Sequence, residues 1–136
     1  MRRWLCRTVE ETRALGEELA AELAPRGVLL LHGDLGSGKT VLTQGVARGL
    51  GIRPDDVQSP TYTLVQEHRG PGGRLIHMDL YRLEGPELDS LGLDDLLEGD
   101  GVKVVEWAER LPWSPPDSRR LRLRRGEDGG RVVEES

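Results

Sequence analysis

The sequence predicts an α/β fold, a mixed, mostly parallel sheet flanked by helices and carrying antiparallel hairpins. Three observations predict it. "VLLLH", Val28 to His32, is a continuous apolar run too short for a helix, the pattern of a strand covered on both faces. Helical stripes at four-residue spacing stand on either side of it, Leu15, Leu19 and Leu23 before, Leu42, Val46 and Leu50 after. Two glycine-rich turns, "RGPGG" and "RGEDGG", each sit between short alternating segments, which is the signature of a hairpin.

Taken in order, "RWLCR" reads as a short strand. Thr8 then opens "TVEE", a capping box in which Thr8 and Glu11 satisfy each other's backbone N–H groups. Pro25 and Gly27 end that first helix. After "VLLLH" comes the glycine loop "HGDLGSGKT", then a second helix closed by Gly49 and Gly51. "SPTYTLVQEH" and "RLIHMDL" flank the first hairpin turn. "PELDSLGLDDLL" reads as one or two short helical pieces broken at Gly92, and "VKVVEW" as another buried strand. "RLRLRRGEDGGRVVEE" forms the second hairpin. No repeat, low-complexity tract or linker interrupts this order, so a single domain over 1–136 is expected.

Composition narrows the function classes. With 19 Lys and Arg against 24 Asp and Glu, the net charge is −5, which disfavours independent binding of nucleic acid over a broad face. No stretch approaches the roughly 18 uninterrupted apolar residues of a membrane span. "MRRWLCRTVEE" turns acidic before an apolar signal segment develops, so a cytoplasmic protein is expected. Cys6 is the sole cysteine and reads as a small core residue.

Gly33, Gly38, Lys39 and Thr40 fit G-x-x-x-x-G-K-[ST], the phosphate-binding P-loop pattern. Glycines let backbone N–H groups wrap an anion, and the helix that starts there adds the positive end of its dipole. Lys39 supplies a compact charge for the β- and γ-phosphates, and the Thr40 hydroxyl suits a Mg²⁺ shell. Such a loop needs a carboxylate from a nearby strand end. "LIHMD" offers Asp79 and "VKVVE" offers Glu106, and both reach the same sheet edge if their strands run parallel to "VLLLH". Spacing leaves open which acid meets the metal. It also leaves open a helix-capping role for Asp79 and a surface position for Glu106. Ser59, Thr61 and Thr63 lie in the interval where P-loop switches sense a γ-phosphate, though alternation would equally suit an ordinary strand face. No guanine-reading N-K-x-D occurs, so GTP is not favoured.

Three further features admit bland readings. Arg120, Arg122 and Arg124 alternate with leucines, which suits a solvated edge strand that discourages aggregation, with a docking patch for RNA or an acidic partner as the alternative. His77, just before Asp79, reads as a core histidine, with a place near the phosphate as the alternative. Trp4, Trp107 and Trp113 read as packing residues, with interface anchoring as the alternative.

"GDLGSGKT", "SPTYTLV", "HMDLYRL", "LGLDDLL" and "VEW", in this order, resemble the TsaE (YjeE) family of small bacterial ATPases, over about Thr8 to Trp107. The resemblance implies a P-loop NTPase fold and slow Mg²⁺-dependent ATP hydrolysis. It implies docking on the TsaD–TsaB complex, which threonylcarbamoylates adenosine 37 of tRNAs reading codons that begin with A. Hydrolysis would reset that complex, and tRNA would be met only through it. By matching position, Gly36, Ser37, Gly38, Lys39, Thr40 and Val41 would hold the phosphates, and Thr40 and Glu106 the metal. Asp79 would be the other essential carboxylate, so Lys39, Asp79 and Glu106 form the expected catalytic set. Ser59, Pro60 and Thr61 would form a switch-like loop, and Trp107 would lie beside the nucleotide. Thr8 is also brought to the base, although capping is sufficient explanation for it. Ser37 stands where the family often has Ala. A small-molecule P-loop kinase and a nucleotide-gated binding module are the competing classes.

Overall fold

The computed structural model describes residues 2–34, 36–58, 65–80, 92–111 and 113–136. Seven strands form one sheet: β1 Arg3–Cys6, β2 Val28–His32, β3 Val65–Gly70, β4 Gly73–Asp79, β5 Val102–Glu106, β6 Arg119–Arg125 and β7 Arg131–Glu135. Among the described residues the helices are α1 Val9–Leu23, α2 Lys39–Gly49 and α3 Leu93–Glu98, with single 3₁₀ turns at Pro54–Asp56 and Ala108–Arg110. Neither 3₁₀ turn is anticipated by the sequence pattern.

The strand order is β1-β7-β6-β2-β5-β4-β3. β4, β5, β2 and β6 run parallel to one another, while β3, β7 and β1 join through antiparallel ladders. Both expected hairpins therefore form, β3–β4 and β6–β7. The chain places β5 on one side of β2 and then β6 on the other. Ligands of open α/β sheets bind beyond the carboxyl ends of strands at such a reversal. The glycine loop leaves β2 at this point.

Alternation along the strands divides the core in two. Leu29 and Leu31 of β2, Val102 and Val104 of β5, and Leu121 and Leu123 of β6 face α1 and α2. Val28, Leu30, Ile76, Met78 and Val105 face α3 and Ala108. All five β2 residues are buried, as its unbroken apolar run requires. Each fully covered leucine contributes about 1.5–3 kcal/mol of transfer free energy. α1 keeps its predicted capping box: the Thr8 hydroxyl accepts from Glu11 N–H at 3.1 Å, and Glu11 Oε2 accepts from Thr8 N–H at 3.0 Å.

α1 and α2 cross very closely. A Cβ on Gly45 would fall 2.1 Å from the Arg13 carbonyl, and one on Gly16 would fall 2.3 Å from the Leu42 carbonyl. No side chain fits between the two backbones there, so these glycines fix where α2 begins over the sheet. Gln44 adds a polar tie, accepting from Arg13 at 3.2 Å and donating to the Val57 carbonyl at 3.0 Å.

One expectation is overturned. Arg120, Arg122 and Arg124 do lie together on one exposed face of β6. That strand, however, is not an edge: it lies between β7 and β2, with both sides of its backbone paired. An alternating pattern fixes which face is polar but says nothing about which neighbours the strand acquires.

Candidate functional site

The carboxyl ends of β2, β4 and β5 bring the chemistry together. Parallel pairing sets Asp79 beside Glu106, and Leu31 beside Glu106, so both acids leave the sheet at the edge where the glycine loop begins. Period-two alternation turns them to the face covered by α2. Asp79 is 7% and Glu106 3% exposed. Buried acids of this kind need partners. One Glu106 oxygen, Oε1, lies 3.4 Å from the Thr40 hydroxyl, which donates to it. The other, Oε2, meets His77 Nε2, and His77 is fully buried. Asp79 is also engaged in an interaction.

Lys39 opens α2 and is buried. Its ammonium donates to the Gly33 carbonyl and stands 3.7 Å from the centre of the Trp107 ring. Burial lowers its pKa from the usual lysine value, while Glu106, Glu109, Asp79 and Asp34 act to raise it. An amine so placed is drawn to a further negative charge, since an anion would offset its desolvation.

Trp107 reaches Lys39 by leaving β5 in the left-handed region, at φ +58°. A non-glycine residue there costs about 1–3 kcal/mol. That cost goes with placing an indole face, rather than another strand residue, against the ammonium.

The loop itself suits an anion. Gly38 caps α2 at φ +107°, a conformation that disfavours any side chain, and no side chain caps the helix. The first N–H groups of an eleven-residue helix therefore remain available, with the positive end of its dipole. Ser37 is buried behind the loop, and its hydroxyl finds no hydrogen-bond partner among the described residues. Thr8, Val41, Gly38, Cys6 and Arg131 line a cavity of about 150 Å³ beside the loop. Thr8 and Val41, expected on the nucleotide side, thus share one small space next to Gly38. Ser59, Pro60, Thr61 and Thr63 lie outside the described residues, as do any helix that Asp79 would cap and the "LYRL" segment beyond Leu80.

Two residues near the loop belong to no motif in the sequence. Arg125 Nε donates to the Gly36 carbonyl at 3.4 Å, and a Cβ on Gly36 would come 2.6 Å from Arg125 Nη2. The Arg131 side chain passes 3.5 Å from where a Cβ on Gly38 would stand. Both come from the β6–β7 hairpin, where they are register partners. The local signal was "RRGEDGGR", whose turn pairs them, but the return of β6 to the side of β2 is a long-range pairing. His77, buried as its apolar neighbours imply, is in addition the partner of Glu106. On the same sheet face, Gln66 Oε1, His68 Nε2 and His77 Nδ1 are buried with no hydrogen-bond partner among the described residues.

The donor set fits a small hard cation. A hydroxyl and a carboxylate converge at 3.4 Å, and the described residues hold no group of three or more His, Cys, Asp or Glu fit for a metal. Mg²⁺ takes few protein oxygens and completes its shell with water and phosphate, whereas zinc takes several nitrogen or sulfur ligands.

A family model described as "Threonylcarbamoyl adenosine biosynthesis protein TsaE" matches residues 6–133. The chain belongs to the TsaE family. Among its relatives, the tRNA threonylcarbamoyladenosine biosynthesis protein TsaE of Bacillus subtilis is 42% identical over 132 residues, covering 96% of this chain and 82% of that protein. The protein of the same name from Nostoc is 42% identical over 129 residues, covering 92% and 79%. A solved structure, YdiB of Bacillus subtilis, superposes with a TM-score of 0.76 at 37% identity, covering 98% of this chain and 83% of that one. The P-loop-type α/β fold expected from the sequence is therefore the fold of this TsaE-family chain.

Proposed function

We propose that this chain binds ATP with Mg²⁺ at the glycine-loop edge and hydrolyses it slowly, as the ATPase subunit of tRNA threonylcarbamoyladenosine synthesis in the cytoplasm. The observation that carries the reading is the convergence of the Thr40 hydroxyl and the Glu106 carboxylate beside the buried Lys39 ammonium. The names of its relatives supply the pathway, and no described helix is long and apolar enough to cross a membrane.

Backbone N–H groups at the start of α2 would hold the phosphates, with Lys39 meeting their charge. Thr40 and Glu106 would hold Mg²⁺, which when bound neutralises phosphate charge and polarises the transferred group. Asp79, paired in register with Glu106, would orient the metal shell or the attacking water. His77 fixes the Glu106 carboxylate from behind, and Trp107 keeps the Lys39 ammonium in place. Phosphoryl transfer depends on positioning and on stabilising charge, so a site short of one positive group or one ordered water turns over slowly. Docking on the TsaD–TsaB complex would complete it, and hydrolysis would then reset that complex between turnovers, tRNA being reached only through it.

Single-turnover phosphate release, measured with and without TsaD–TsaB, tests the reading. Faster release in the complex, with free phosphate as product, is expected. A phosphorylated small molecule would point to a kinase. Depleting the protein should lower threonylcarbamoyladenosine in digested tRNA, and an unchanged level would overturn the assignment.

A further inference from the structure

β6 carries a row of three exposed arginines whose ordinary explanation has been removed. Charged residues on an edge strand discourage sheet-to-sheet aggregation. β6 is interior, so its backbone needs no such guard. Nor does the row cover a core. Leu121 and Leu123 point to the α1 and α2 side, while the second core draws on β2, β4, β5, α3 and the turn at Ala108, and on no residue of β1, β6 or β7. Among the described residues, the second core does not extend over that stretch of sheet, where Val132 is the buried residue between Leu5 and Arg124.

Register shows what this face presents. Arg3, Glu134 and Arg122 form one cross-strand row, and Leu5, Val132 and Arg124 the next. Arg120 lies one step further along β6, the arginines being about 6.6 Å apart. Glu134 is the only acid in the paired register positions on this face of β1, β7 and β6, and it is joined to Arg124 at 3.2 Å. In those positions four arginines stand against one glutamate, and with Glu109 bordering the row at His32 the excess is still positive on a chain of net charge −5. Apolar groups border it as well. The exposed large hydrophobic residues among those described are Leu5, Val9 and Trp113. Leu5, 63% exposed, lies within the face, and Trp113, 38% exposed, precedes Ser114, whose hydroxyl accepts from Arg120 at 2.6 Å.

Arginine and tryptophan flanking a small apolar area is the composition of a protein interface. Guanidinium forks meet carboxylates in pairs, which lysine does not do. An RNA would feel the negative charge of the whole chain, whereas an acidic patch on a protein needs only local complementarity. We propose that Arg120, Arg122 and Arg124, with Leu5 and Trp113 at their margins, form the surface that docks an acidic patch of a partner protein. This rests on the reading that the chain works docked on the TsaD–TsaB complex.

The test measures docking of the full chain on that complex by biolayer interferometry, with the nucleotide present. Reversing the row (R120E, R122E, R124E) should weaken docking about 100-fold, and the three-lysine variant should weaken it less than about tenfold. L5S should add a further loss of a few-fold. Nucleotide affinity should stay within about twofold in each, which shows that the variants fold, and raising salt to about 0.5 M should weaken every chain that keeps the positive row but not the reversed chain. If the wild type docks and the reversed chain docks equally well, the surface assignment is wrong while the functional reading stands. Should the wild type instead bind bare tRNA through these arginines, with docking unaffected, the face belongs to RNA and the proposal fails. If the wild type does not dock in any nucleotide state, both the proposal and the functional reading fall.

Discussion

Lys39 and Lys103 are the only lysines in the chain, and the fold buries both, at opposite ends of the parallel strands. Lys103 sits on the α3 side of β5 and donates to the carbonyls of Arg26 and Gly99, tying the start of β2 to the loop after α3. Its neighbours are mainly positive: burial lowers its pKa first, and Arg26 and Arg74 lower it further against Asp100. Lys39 has one carbonyl partner, an indole face, and four acids that act to hold its proton. The difference separates a structural amine from one suited to a ligand. A buried lysine held by two carbonyls serves the protein's own hydrogen bonding, while one set among acids beside an uncapped helix terminus is suited to an anion as its further partner.

Breaking the comparison at its functional end should give the largest effect. Lys39→Ala should reduce ATP hydrolysis about 100-fold or more, in the range seen when one charge-stabilising group is removed from a transition state. Thermal unfolding should change little in the absence of nucleotide. Equal hydrolysis would place the phosphate elsewhere.

The support beneath that end comes next. His77→Leu removes the partner of Glu106 Oε2, and Mn²⁺ affinity in the presence of an ATP analogue should fall about tenfold, as for other residues that orient a metal ligand. His77→Gln keeps a donor and should recover most of the loss. A merely structural histidine would give two variants of equal metal affinity.

The smallest effect belongs to the other lysine. Lys103→Met leaves the Arg26 and Gly99 carbonyls without their donor but also relieves a buried charge, so the net destabilisation should be about 1–2 kcal/mol by urea denaturation. Nucleotide affinity should be unaffected. If Lys103→Met instead impairs nucleotide binding as Lys39→Ala does, the distinction between the two amines is lost.

Most of the architecture was legible in the residues. Stripes at Leu15, Leu19 and Leu23 and at Leu42, Val46 and Leu50 gave the two long helices, and the unbroken "VLLLH" gave the central strand. These signals are local and periodic. The glycine loop and the two acids at strand ends marked the candidate site, because strand direction alone brings them to one edge. What escaped depends on neighbours chosen from far along the chain. The β6–β2 pairing makes an apparent edge strand interior and returns Arg125 and Arg131 to the glycine loop, and nothing in either segment encodes it. His77 likewise could be read as buried, but only the β4–β5 register shows that Glu106 is what it meets.

The central claim is that the Lys39 end holds a triphosphate whose magnesium is shared by Thr40 and Glu106. Calorimetric titration with a non-hydrolysable ATP analogue, with and without Mg²⁺, tests it most directly in the wild type and in Glu106→Gln. One site per wild-type chain, tightened about tenfold by Mg²⁺, is expected, with Glu106→Gln still binding the analogue but losing the gain from the metal. No binding by the wild type, or an equal gain from Mg²⁺ in the variant, would contradict it.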